Sequence, residues 1–150
     1  MKRWHPWHWL RDHYPHVSVE HTPLPPGRRG AAHGDLIWLH DRLTQAERRT
    51  TLTHELIHFE RRGREHPHPA VEEQIVEAET ARRMIPLRQL CDAFAWLRHP
   101  DAGALAEHLW VDQALVHARM ENLDPLEVAQ IEHACDGDWS WSVPHGESAC

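Results

Sequence analysis

The spacing of apolar residues changes period several times along the chain, and each change marks an expected element. His16 to Thr22 alternates, with Val17 and Val19 on one side, and predicts a strand. Pro23-Leu24-Pro25-Pro26-Gly27 ends it in a turn or loop. Gly30 to Gly34, small residues but for His33, reads as a flexible stretch, and Asp35 to His40 reads as a second strand. Such a strand can pair with an extended substrate or serve as an ordinary central strand. From Thr44 the period lengthens to that of a helix, with Leu52, Leu56 and Phe59 forming the buried stripe. Thr44-Gln45-Ala46-Glu47 has the form of a capping box, and no Pro or Gly interrupts the chain before Gly63. Pro69 to Ile85 predicts another helix, closed by Pro86.

Helical spacing then continues. Leu87, Leu90, Phe94 and Leu97 mark one helix, to which Trp96 adds bulk. Leu105 to Leu123 has a helix-turn-helix outline, with Ala106, Leu109, Val111, Val116 and Arg119 at its inward positions. Asp124-Pro125 opens a last helix to about Ala134, and the mixture from Cys135 onward reads as a mobile tail. At the other end, Trp4, Trp7 and Trp9 suit a short helix packing its indoles on the domain. A small sheet followed by helices makes the fold class α+β, with the sheet packed on the two long helices and a helical C-terminal unit after them. The expected divisions are 1–86, 87–134 and a tail at 135–150.

The chemistry concentrates in His54-Glu55-Leu56-Ile57-His58. Histidines four residues apart on a helix lie on one face, about one turn apart, and can hold one Zn2+ ion between them. The intervening Glu55 is placed to take a proton from a zinc-bound water. The chain holds 16 His, so a chance match is easier than usual and the helical context has to carry the reading. A catalytic zinc takes three protein ligands and leaves a position open. The next helix offers Glu72, Glu73, Glu77 and Glu79. Glu73 and Glu77 share a face, so spacing alone does not separate them.

Thr51-Leu-Thr-His-Glu-Leu-Ile-His58, then Glu73-Gln-Ile-Val76 and Ala81-Arg-Arg-Met-Ile-Pro86, resemble the ImmA/IrrE family of metallo-endopeptidases over roughly residues 17–130. That pattern runs H-E-x-x-H, then E-x-x-A on the following helix, then an apolar run ending in Met-Pro. Its ligand Glu stands 13 residues before the Pro, the position of Glu73 here, so the resemblance selects Glu73 over Glu77. Ile57, Val76 and Arg82-Arg83 depart from the common pattern. The resemblance implies a zincin-like core at 1–86. It implies that His54, His58 and Glu73 hold zinc, that Glu55 is the general base and then the acid, and that the substrate is a regulatory protein. A transcriptional repressor of a phage or mobile element is the typical case. Neither Tyr14, the single Tyr, nor Arg61 is marked by the sequence as an oxyanion stabiliser.

Composition narrows the partners. A net charge of −7 argues against general affinity for nucleic acid or an anionic membrane. The helix-turn-helix outline still supports an alternative, a non-catalytic metal-stabilised or DNA-binding regulator. Against it, Asp101, Glu107, Asp112, Glu121, Asp124 and Glu127 surround a single Arg119. Cys91, Cys135 and Cys150 make no even framework, which fits a reduced, cytoplasmic protein. A second metal site from His133, Cys135, His145 and Cys150 is too loosely spaced to expect. The N-terminus lacks a signal-peptide core, and no run is long enough to span a membrane. Oligomeric state is not legible.

Overall fold

The computed structural model describes residues 3–142. The expected tail beyond Ser142, with His145 and Cys150, lies outside the described residues. The chain divides into two compact units between Met84 and Ile85. Among the described residues the fold is α+β, with one three-stranded sheet and seven helices.

The first unit runs α1 (Pro6–His13), β1 (Ser18–Thr22), β2 (Gly30–His33), β3 (Leu36–His40), α2 (Gln45–Glu60) and α3 (Pro69–Met84). The sheet order is β1-β3-β2, with β1 parallel and β2 antiparallel to β3. One expectation changes here, and an open alternative is decided. The small-residue stretch is a strand, β2, paired from Gly30 opposite Leu39 to His33 opposite Leu36. The apolar Leu36–His40 strand is therefore central, because both of its edges are already paired, and no edge of β3 is left for a substrate. Burial agrees: Ile37 and Leu39 are fully enclosed and join Leu10, Leu52 and Leu56 in the core.

Of the Trp-rich segment, Trp4 and Trp9 pack on the core as expected, while Trp7 is exposed. Trp4 donates its indole N–H to Thr53 Oγ1 at 2.8 Å, and Trp9 donates to Glu60 Oε1 at 2.9 Å. Each indole thus buries its flat face while its polar atom finds a partner. Pro6 occupies the first turn of α1, where a missing N–H is harmless.

The second unit is helical: α4 (Leu87–Leu97), α5 (Ala102–Leu109), α6 (Gln113–Glu121) and α7 (Pro125–Ala134). Asp101, Asp112 and Asp124 each cap the helix that follows, accepting from the N–H groups of Ala104, Leu115 and Glu127. Those acids terminate helices; this accounts for half of the negative residues around Arg119. Trp96 does not join the core, being 78% exposed. The described part of the expected tail is tied down: Ser140 N–H donates to Arg98 O at 3.0 Å, and Trp139 meets Phe94 edge-on.

Candidate metal centre

Helix α2 is set by its first turn. Thr44 Oγ1 accepts from Glu47 N–H at 3.2 Å, and Glu47 Oε1 accepts from Thr44 N–H at 3.0 Å, completing the capping box. Leu52, Thr53, Leu56 and Ile57 face inward, which leaves His54, Glu55 and His58 on the partly open side. Helix α3 is joined to it by charge. Arg61 donates two hydrogen bonds to Glu72, at 2.8 and 2.7 Å, and Glu72 also accepts from His66 N–H at 3.0 Å. Arg83 likewise forks onto Glu60 at 3.2 and 2.7 Å. Both contacts are bidentate guanidinium–carboxylate pairs, which fix orientation as well as proximity.

That junction delivers Glu73 to the histidines. Glu73 Oε1 lies 2.8 Å from His54 Nε2, Glu73 Oε2 lies 3.1 Å from His58 Nε2, and the two Nε2 atoms are 3.2 Å apart. Among the described residues this is the group of three or more donors that could hold a metal ion. Ligands tetrahedrally disposed at about 2.0–2.1 Å from zinc are about 3.3 Å apart, so only a slight spread of these atoms is needed. Two imidazoles and a carboxylate suit zinc and other first-row divalent ions; the donor set alone does not choose among them. Burial holds His54 below the usual imidazole range, against the pull of Glu73, and so favours the neutral form that can donate a lone pair to a metal.

Glu55 points into the same cleft, a cavity of about 640 Å³ lined by His54, His58, Glu73, Glu77, the Thr50–Thr51 pair and residues 27–32. Burial raises its carboxyl above the ordinary range; His58 and Arg28 pull it back, while Glu73 pushes it further up. A carboxyl tuned upward is a better proton acceptor near neutral pH. Gly30 of β2 abuts this side chain: a Cβ there would fall 3.2 Å from Glu55 Cγ and 2.6 Å from Thr51 Cγ2.

The four acids of α3 separate cleanly. Glu73 joins the donors, Glu77 lines the cleft without joining them, Glu79 pairs with Arg82 and Arg83, and Glu72 is buried against Arg61. The fork from Arg61 accounts for the burial of Glu72. The same fork occupies Arg61. Tyr14 packs edge-on against Phe59 and lines a different groove. His66 accepts from His68 N–H within the connecting loop, and neither joins the donors. Arg28, Gly30, Ala31, Thr50 and Thr51 are cleft residues that no motif flags; the Pro-Pro-Gly turn before Arg28 was the one local signal.

No family model, curated protein or solved structure matches this chain.

Proposed function

We propose that this protein is a zinc-dependent endopeptidase of the ImmA/IrrE type, cleaving an intracellular regulatory protein such as a transcriptional repressor. One observation carries the reading: Glu55 and the three donor atoms open into one cleft whose wall is the sheet-edge strand β2. His54, His58 and Glu73 hold the metal. Zinc bound there polarises a carbonyl and makes water acidic near neutral pH. Glu55 takes a proton from the attacking water and returns it to the departing amine. Strand β2 is paired on one side only, so its other side offers main-chain groups to an extended polypeptide. Gly30 and Ala31 keep that wall free of bulky side chains.

The alternative, a DNA-binding regulator, rests on the α5–α6 pair. Arg119 weighs against it. This is the sole Lys or Arg of α6, and it is buried, donating to Ile85 O at 2.8 Å and pairing with Glu127. It is thereby withheld from phosphate, and a packing role for these helices is favoured.

The test is Glu55→Gln. The variant is expected to keep about one zinc per chain and its circular dichroism, yet to lose cleavage of a repressor-like protein encoded beside it. Equal cleavage by both proteins would remove Glu55 from the mechanism, and failure of the wild type to retain metal would remove the peptidase.

A further inference from the structure

We infer that Arg28 sets the specificity of this cleft by receiving a carboxylate of the bound polypeptide, about two residues from the bond that faces Glu55. The inference rests on the peptidase reading and adds a substrate class to it.

The argument starts with local geometry. Arg28 N–H donates to Pro25 O at 3.0 Å across Pro26-Gly27, and Gly27 has φ 84°. Proline at the second position and a left-handed glycine at the third define a type II turn, whose shape is largely set before anything binds. The turn hands the chain directly to Gly30, which lies against Glu55. Arg28 is thus held at the cleft by a stiff support.

Next comes charge. Arg28 is exposed and lines the cleft, and its side chain has no hydrogen bond or ion pair among the described residues. Its neighbour Arg29 is drawn to Glu47 at 3.4 Å. The acids of the cleft are Glu55, Glu73 and Glu77, whose charge a zinc ion at His54, His58 and Glu73 would largely offset. A carboxylate entering beside Arg28 therefore gains an ion pair that the neutral side chain of the same shape does not. Arg28 stands two residues before Gly30, where β2 begins, so a peptide paired along β2 and continued past its start meets Arg28 there. That places the recognised carboxylate about two residues along.

The carboxylate can belong to an acidic side chain or to a chain end, and the probes separate these. Three peptidyl hydroxamates share one backbone, with the hydroxamate replacing the scissile bond. The first carries Glu two residues away and an amidated end, the second Gln and an amidated end, the third Gln and a free carboxylate end. Their affinities are measured calorimetrically on the zinc-loaded full chain, wild type and Arg28→Gln, with zinc content checked by elemental analysis.

The wild type is expected to bind the first probe roughly threefold to tenfold more tightly than the second. The preference should shrink in high salt and vanish in Arg28→Gln. The same preference for the third probe would assign the carboxylate to a chain end. Equal binding of all three, or a preference that survives Arg28→Gln, overturns the role of Arg28 while leaving the metal site intact. Loss of zinc, or no binding of any hydroxamate by the wild type, overturns the peptidase reading and this inference with it.

Discussion

Position 30 shows how much one hydrogen atom in place of a methyl can decide. With no side chain there, β2 lies directly on α2 beside Thr51 and Glu55. Gly30→Ala puts a carbon 2.6 Å from Thr51 Cγ2, closer than two such atoms can sit, so strand or helix must shift. Overpacking of this kind costs about 1–3 kcal/mol. Chemical denaturation is expected to show that loss, and Thr51→Ser, which deletes the struck methyl, is expected to restore part of it in the double variant. A double variant no more stable than Gly30→Ala would mean that the strain lies elsewhere. Thr53 makes a related point on the inner side of the same helix. Its hydroxyl donates to Arg49 O at 2.7 Å and accepts from the Trp4 indole, so the residue before the first ligand is fixed from two directions.

At the scale of elements, charge contacts between side chains organise the helices of each unit. In the first, Arg61 and His66 N–H lower Glu72 from 4.5 to about 2. A depressed carboxylate contributes stability that is complete above its unfolded pKa and is lost as pH falls through its folded one. Metal-free protein should therefore lose stability between pH 4.5 and about 2, and Arg61→Gln should flatten that slope when unfolding is followed by circular dichroism. An unchanged slope would show that other carboxylates govern it. In the second unit, Arg119→Met removes the guanidinium that pairs with buried Glu127, a change that costs about 3–5 kcal/mol. Adding Glu127→Gln, which keeps an amide oxygen for the Asp124 N–H, should recover much of the loss in thermal denaturation; no recovery would deny the pair its structural role. Helices were legible because their signals are short-range: the Thr44/Glu47 box, Pro69 and Pro86 each act within a turn. The Glu73 assignment came from the resemblance, since spacing leaves Glu77 on the same face. Strand β2 was not legible, because Gly30-Ala31-Ala32 carry no alternation and their pairing depends on the distant β3. Arg119 sat at an apolar position in the pattern, but only the fold reveals Glu127 and Ile85 O as its partners.

At the scale of the whole molecule, every donor of the candidate metal centre belongs to the first unit. Zinc should therefore stabilise that unit selectively, since a ligand protects what it binds. Hydrogen exchange with and without zinc is expected to slow in α2 and α3 and stay unchanged in α4–α7; equal slowing throughout would mean that the units open as one. No helix among the described residues is long and apolar enough to cross a membrane. The near-absence of side chains along β2 carries a consequence for the proposed target. A wall made of glycine and alanine reads the course of a backbone, and Arg28 beside it reads a single letter. A compact globular region has no loose stretch to lay along such a wall, whatever its sequence. Vulnerability would then be a state that the target enters when a linker frays or a partner lets go, and the clock for cleavage would be kept by the victim.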